Sequence, residues 1–184
     1  MSTTHYPAAP GAQVSRRHTL AVIVDNEPGV LARIAGLFSG RGYNIESLTV
    51  SETEHERHLS RITVVTSGTE AVIDQIKAQL SRLVPVHRVV DLTEAGEAVE
   101  RELALVKVIG KGEARVEALR LATAFGARTL DATLGSFVFE LTGETAEIER
   151  FLRVMANVGL AEVSRTGIAA IGRGEARVEP RGGA

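Results

Sequence analysis

A chain of 184 residues suits one ordinary domain or two small ones, and its 44% of hydrophobic residues is enough to build a core. The 21 basic and 23 acidic residues leave a net charge of −2 without a basic stripe, so charge points to neither nucleic acid nor an anionic membrane. Cysteine is absent, which excludes disulfides, thiolate nucleophiles and sulfur-ligated metals and fits a cytoplasmic location.

The two ends of the chain lack the patterns of folded segments. Residues 1–17 contain Pro, Gly and small residues but no apolar stretch of the kind found in signal peptides, which predicts a flexible N-terminal tail. Residues 173–184 show no apolar periodicity and predict a second flexible tail. No apolar run reaches the 18 residues typical of a membrane span.

The segment 18–92 predicts a domain with the element order βαββαβ. Residues 18–25 predict a buried strand that ends in a turn at 26–29, and a helix follows with an apolar face. That face consists of Val30, Leu31, Ile34, Leu37 and Phe38. The elements that follow are a strand at 44–53, a strand at 59–66, a helical stripe of Val72, Ile73, Ile76, Leu80 and Leu83, and a strand at 85–92. The odd spacing of Ile45 and Leu48 predicts a β-bulge near Glu46 and Ser47.

The same order of elements begins again after a polar, acidic segment at 93–102, which we interpret as a linker. The predicted elements are a strand at 103–109, a helix at 113–125, strands at 127–133 and 136–142, a helical stripe of Ile148, Phe151, Leu152, Met155 and Val158, and extended structure at 160–171. Because the strands do not alternate singly with helices, a single doubly wound sheet is disfavoured. We therefore predict an α+β protein with two ferredoxin-like βαββαβ sandwiches in tandem, at 18–92 and 103–172.

The turn at 26–29 has the chemistry of a carboxylate site. It leads into a helix N-terminus, where amides lack internal partners and the macrodipole is positive. Gly29 gives a ligand access to the main chain, and Asn26 and Asn44 offer neutral amides that suit a zwitterion. The alternative is purely structural, with Asn26 and Gly29 as turn and cap residues and Pro28 at the helix start.

The segment DNEPGVLARIAGLFSGRGYNIESLTV resembles the ACT domain, a βαββαβ module that binds amino acids, and in particular the small regulatory subunits of acetolactate synthase (acetohydroxyacid synthase). The likeness continues through LSRITVVTSG, IDQIKAQLSRLVPVHRVVDL and VERELALVKV and covers roughly residues 18–172. The extension before Arg16 and the segment 52–58 are poorly matched.

The resemblance implies a non-catalytic regulatory subunit. Such a subunit activates a catalytic large subunit and confers feedback inhibition, chiefly by valine, in branched-chain amino-acid biosynthesis. The effector would lie between the ACT domains of two subunits, which implies at least a homodimer. Its matching positions are Asn26, Gly29, Val30 and Leu31 from one chain, with Asn44 and Ile45 from the facing chain. Thiamine diphosphate, Mg²⁺ and FAD would belong to the large subunit, and this chain would hold no cofactor or metal. An ACT-type sensor that regulates a different enzyme is the alternative.

Nucleotide binding and RNA recognition are suggested by sequence patterns and are disfavoured by their surroundings. The Gly-Lys-Gly at 110–112 with Asp131 suggests a nucleotide fold, but Glu113 and Arg115 stand where the phosphate-binding fingerprint requires other residues. The βαββαβ order is shared with RNA-recognition modules, but LAVIVD and RITVVT carry no stacking aromatics.

Metal binding and acid–base chemistry are disfavoured in the same way. His55 and His58 are two possible metal ligands in a charged loop, which are too few for a structural zinc site. Glu97, Glu100 and Glu102 fall in the predicted linker and are expected to be solvated.

Overall fold

The computed structural model describes residues 14–54, 58–94 and 98–180. The first domain consists of β1 (Arg16–Asp25), α1 (Val30–Ser39), β2 (Ser47–Glu54), β3 (Leu59–Gly68), α2 (Glu70–Leu80) and β4 (Val86–Asp91). The second consists of β5 (Ala98–Ile109), α3 (Gly112–Ala124), β6 (Arg128–Ala132), β7 (Ser136–Gly143), α4 (Thr145–Met155), a 3-10 turn (Ala156–Val158), β8 (Leu160–Arg165) and β9 (Ala169–Gly172).

The two domains have equivalent antiparallel sheets. The first has the strand order β2-β3-β1-β4, and the second has the order β6-β7-β5-β8, in which each strand stands where its counterpart stands in the first. This is the ferredoxin-like arrangement, so the predicted fold class of two tandem βαββαβ sandwiches is confirmed.

The first core lies between one sheet face and the two helices. Alternate residues of β1 face the helices, and the apolar stripes of α1 and α2 pack on them as the periodicity predicts. The buried members are Leu20, Val22, Val24, Val30, Ile34, Phe38, Ile62, Val64, Ile73, Ile76 and Leu80. Leu31 differs from the sequence expectation, because 42% of it is exposed beside the helix start.

The second core repeats this arrangement with more phenylalanine side chains. Phe139 and Phe151 are fully buried, and Phe125 packs against Phe151 with ring centroids 5.3 Å apart. Ile148 and Met155 of α4 are also fully buried, as their helical spacing predicts.

A third apolar cluster joins the two domains. β9 pairs with Ala98–Arg101 of β5, and this ribbon covers the face of the first sheet that the helices leave open. The cluster consists of Ala21, Val65, Leu92, Ile168 and Ala170. Burial lowers the pKa of Arg61, whose guanidinium donates to the Ala170 carbonyl at 2.7 Å.

This ribbon changes the interpretation of the acidic segment 93–102. β5 begins at Ala98, inside the predicted linker, because the pairing with β9 recruits its polar residues into a strand. Glu100 is half-buried and accepts hydrogen bonds from Arg17 and Thr19, while Glu102 is only 5% exposed. The prediction that Glu100 and Glu102 are solvated is therefore wrong, and Glu97 lies outside the described residues.

β2 and the N-terminal boundary also differ from the predictions. β1 begins at Arg16, inside the predicted tail 1–17. β2 begins only at Ser47, and its register shift falls between Glu52 and Glu54, so the bulge predicted near Glu46 and Ser47 is wrong. Residues 173–180 form neither helix nor strand, although Val178 packs against the interdomain cluster. Among the residues that the structure describes, no helix is long and apolar enough to cross a membrane.

Candidate functional site

The start of α1 leaves backbone donors open to a ligand. Gly29 is the N-cap residue with φ +89°, and no side chain caps this helix end. Arg33 N donates to Gly29 O at 3.0 Å, whereas the amides of Leu31 and Ala32 have no backbone acceptor within the described ranges. The first turn contains no acidic residue, so its positive end is not compensated from within the helix.

Two neighbouring segments hold the turn at 26–29 in place. Asn26 N donates to His58 O at 2.7 Å, and Asp25 N donates to Pro85 O at 2.9 Å. His87 Nε2 lies 2.6 Å from Asp25 Oδ1, which adds a side-chain contact directly before Asn26. The backbone of the turn is therefore fixed on both sides, while Asn26 and Gly29 remain exposed.

The second predicted segment, at Asn44 and Ile45, is fixed through its backbone and its apolar side chain. Thr66 Oγ1 donates to Asn44 O at 2.7 Å, and Ile45 is half-buried against the first core. Asn44 is exposed, and within the described part of the chain its carboxamide, like that of Asn26, has no hydrogen-bond partner. Both amides are thus available to a ligand.

One chain does not bring these two segments together. Asn26 is bonded to His58 just before β3, whereas Asn44 is bonded to Thr66 near the other end of β3. Thr66 follows His58 by eight residues, which corresponds to about 26 Å in extended backbone. A free amino acid is far shorter than this distance, so only a second chain can complete a site that uses both asparagines.

The two remaining predicted positions, Val30 and Leu31, are the first residues of α1. Val30 is 4% exposed and anchors the helix in the core, and Leu31 stands beside it with its side chain partly in solvent. Asn26, Gly29 and Leu31 therefore form one exposed surface around the helix start, with Val30 beneath it. The assignment of an effector to this surface stays a prediction at this point.

Two ionisable clusters escaped the sequence analysis because their members are far apart in the chain. One is the Asp25–His87 contact described above. The other joins His18, Asp91 and Glu94, whose possible ligand atoms lie within 4.8 Å of one another. Lys77 Nζ is 2.7 Å from Glu94 Oε2 and supplies a positive charge there, so we interpret this group as an ion-pair network.

The earlier metal and nucleotide hypotheses gain no support from the geometry. His55 lies outside the described residues, and the carbonyl of His58 accepts a hydrogen bond from Asn26 N. Arg115 lies over the Phe137 ring, 3.9 Å from its centroid, instead of facing a phosphate position at the start of α3. Glu113 places a negative charge in the first turn of that helix.

The chain matches two families along its length. Residues 20–88 match the AHAS small subunit-like ACT domain, and residues 101–174 match the small subunit of acetolactate synthase. The two matches fall on the first and the second domain respectively.

Individual relatives support the same similarity. The chain is 45% identical over 158 residues to the probable acetolactate synthase small subunit of Archaeoglobus fulgidus, covering 86% of this chain and 98% of that protein. It is 42% identical over 165 residues to the acetolactate synthase small subunit of Mycobacterium leprae, covering 90% and 94%. The crystal structure of the acetolactate synthase small subunit of Thermotoga maritima superposes with a TM-score of 0.78 at 35% identity, covering 88% of this chain and 99% of that one.

Proposed function

Because this chain belongs to the acetolactate synthase small-subunit family, we propose that it is a regulatory subunit that activates a catalytic large subunit and makes it sensitive to valine. The large subunit would hold thiamine diphosphate, Mg²⁺ and FAD and would form the acetolactate. This chain would act by binding the large subunit more tightly in its active conformation than in its inactive one. An effector that binds this chain would change that difference in affinity.

The main support for an effector site shared between two chains is the distance between its two halves, which contain Asn26 and Asn44. The open amides of α1 and the Asn26 carboxamide suit the carboxylate of an amino acid, and Asn44 supplies a further amide from a second copy. Leu31 and Ile45 add apolar surface for a branched side chain. The ligand is therefore proposed to bind at an interface between two copies.

The position of β2 explains how two copies would meet. β2 is an edge strand of the first sheet, and one row of its backbone groups pairs with no other strand among the residues that the structure describes. Antiparallel pairing of two β2 strands places the start of one beside the end of the other. Asn44 lies three residues before the start of β2, and the end of β2 lies next to His58 and hence Asn26, so this pairing would bring the two half-sites together.

A mixing experiment tests this arrangement directly. Asn26→Ala and Asn44→Ala each damage both sites of a symmetric dimer, whereas a mixed dimer contains one site with both substitutions and one intact site. Random mixing is expected to restore about a quarter of the wild-type valine sites in a calorimetric titration. No restoration, with both variants folded and exchanging subunits, would contradict a site shared between chains.

Reconstitution tests the regulatory role. We expect the isolated chain to form no acetolactate from pyruvate when thiamine diphosphate, Mg²⁺ and FAD are supplied. Addition of the chain to an acetolactate synthase large subunit should raise its rate, and valine should lower that raised rate. Turnover by the isolated chain, or no change in the rate of the large subunit, would refute this role.

A further inference from the structure

β2, which begins three residues after Asn44 of the proposed effector site, also contacts the second domain. Ile168 N, in the turn between β8 and β9, donates a hydrogen bond to Ser47 Oγ at 2.9 Å. Ser47 is the first residue of β2 and follows Asn44 by three positions. Glu46 N donates to Val65 O at 2.8 Å, so the short segment between them is held against β3. A displacement at Asn44 therefore reaches Ser47 through a supported backbone.

The contact is close because a glycine faces the strand. Gly167 has φ +80°, and a Cβ at this position would lie 2.9 Å from both Ser47 Oγ and Thr49 Oγ1. Separations this short do not occur for ordinary Cβ atoms, so a side chain at 167 would push the turn away from β2. Gly167 thus allows the turn of the second domain to lie directly on the two hydroxyl groups.

Only one of these two hydroxyl groups is used. Ser47 and Thr49 lie on the same face of β2, because side chains alternate along a strand. Ser47 Oγ accepts from Ile168, whereas Thr49 Oγ1 is buried and has no hydrogen-bond partner within the part of the chain that the structure describes. A small slide of the turn along β2 would move the Ile168 amide from Ser47 Oγ to Thr49 Oγ1 and so exchange one hydroxyl acceptor for the other, which keeps the two positions close in energy.

The second domain is connected to this turn in a way that would carry such a slide. Thr166 N donates to Leu103 O at 3.0 Å, and Leu103 N donates to Thr166 Oγ1 at 3.1 Å, which ties the turn to β5. Arg165 pairs with Glu102 of β5 and with Glu149 of α4. The turn, the central strand and a helix of the second domain would therefore move together.

From these contacts we infer that Ser47, Thr49 and the Gly167–Ile168 turn form a junction with two positions, through which ligand occupancy at Asn44 and Ile45 reaches the second domain. In one position Ile168 N donates to Ser47 Oγ, and in the other the turn donates to Thr49 Oγ1. This inference rests on the proposed function, because it requires an amino-acid ligand near the start of β2. Ser47 and Thr49 are positioning residues in it and do not contact the ligand.

The test is amide hydrogen exchange on the full-length chain, measured at the Ile168 amide, with valine as the probe. We expect saturating valine to change that exchange rate by about tenfold in the wild type. Thr49→Val should abolish the change, since it removes the second acceptor, while the calorimetric dissociation constant for valine should stay within about threefold. If Thr49 were purely structural, Thr49→Val would keep the valine-dependent change in exchange at Ile168, because replacing an unpaired hydroxyl by a methyl group leaves the fold intact.

Ser51→Ala is the matched control, since Ser51 lies on the same face of β2 but is exposed and should leave the exchange response unchanged. Valine binding without any change at Ile168, or an unchanged response in Thr49→Val, would overturn the junction and leave the proposed function standing. Failure of the wild type to bind valine at all would refute the effector assignment, and the junction with it.

Discussion

The two domains share one topology but begin their first helices with different chemistry. α1 starts after Gly29 at φ +89° and has no acidic residue in its first turn, while α3 starts at Gly112 at φ +57° and carries Glu113 in that turn. α3 thus supplies its own negative charge at its N-terminus, whereas α1 leaves that position open. The difference shows that two copies of one fold can present different charge at a helix N-terminus, and the proposed carboxylate site depends on the turn sequence of the first copy.

The largest effect should come from placing a charge at Gly29. Gly29→Asp puts a carboxylate where the effector carboxylate is proposed to bind, and we expect valine affinity to fall by at least about a hundredfold. The measurement is acetolactate formation by the reconstituted complex across a valine titration. Activation of the large subunit should stay within about twofold, because the added carboxylate can accept from the open amides and keep the helix stable.

Two controls separate charge from backbone strain in that experiment. Gly29→Asn has nearly the same shape and tolerates positive φ as well as Asp does, but it is neutral, so it should weaken valine much less. Gly112→Asp makes the same change at the equivalent helix start of the second domain, where a Cβ also meets nothing within 4 Å. Loss of valine sensitivity in Gly112→Asp would contradict the assignment of the site to the first domain alone.

Asn26→Ala should have the next largest effect. It removes a neutral amide that is proposed to hydrogen-bond a charged ligand group, an interaction worth about 1.5–3 kcal/mol, so valine affinity should fall roughly tenfold to a hundredfold. Isothermal titration of the folded variant measures this loss. Asn157→Ala in the second domain is the matched control, because Asn157 Nδ2 only donates to Arg153 O on the surface. If Asn26→Ala bound valine as the wild type does, Asn26 would be a turn residue only.

How far the sequence alone predicted these features depends on how local their causes are. The helical stripe through Ile34 and Phe38 was predictable because its spacing is set by one helix. The burial of Glu102 was not, because its partner Arg165 is 63 positions away and belongs to another strand. The start of β2 was not predictable for the same reason: Asn44 O accepts from the side chain of Thr66 in β3, and the paired register with β3 begins only at Ser47.

The same limit applies to the candidate site. The exposed turn at 26–29 follows from Asn, Pro and Gly in sequence, so the turn could be predicted from the residues, while its role in ligand binding stays a prediction. The Asp25–His87 contact depends on the pairing of β1 with β4, and the Ser47–Ile168 hydrogen bond joins residues 121 positions apart. Chemistry that depends on such pairings becomes visible only when the chain is folded.

The third prediction concerns the free energy of unfolding and the ion pair between Glu102 and Arg165. Glu102 has a side chain that is 3% exposed, and it accepts from Arg165 Nε at 2.7 Å. Burial lowers the pKa of Arg165, but hydrogen bonds to Glu149 and Glu102 together outweigh it and raise that pKa. Arg165 also stays charged when Glu102 is replaced, because a guanidinium does not lose its proton in proteins. Glu102→Gln should therefore lower the free energy of unfolding by about 2 kcal/mol.

Urea denaturation of the free chain at pH 7 measures this change, and Glu46→Gln supplies the comparison. Glu46 pairs with Arg17 at 3.6 Å with both side chains more than a third exposed, so its loss should cost less than about 1 kcal/mol. Equal effects of the two substitutions would show that burial of Glu102 does not set the strength of its pair.

The last prediction compares the two equivalent edge strands. Val50 of β2 is 45% exposed and Leu130 of β6 is 47% exposed, and β2 and β6 occupy the same edge of their sheets. If two copies pair through β2, Val50→Lys places two ammonium groups near one another in the interface and should weaken the dimer by about tenfold. Leu130→Lys adds the same charge to the other sheet and should leave the association of this chain unchanged. Sedimentation velocity over a dilution series measures both dissociation constants, and valine should bind Val50→Lys more weakly only at concentrations where the dimer is lost. A weaker dimer in Leu130→Lys instead would move the interface to the second domain, and the half-sites at Asn26 and Asn44 would then have to meet in some way other than pairing of β2.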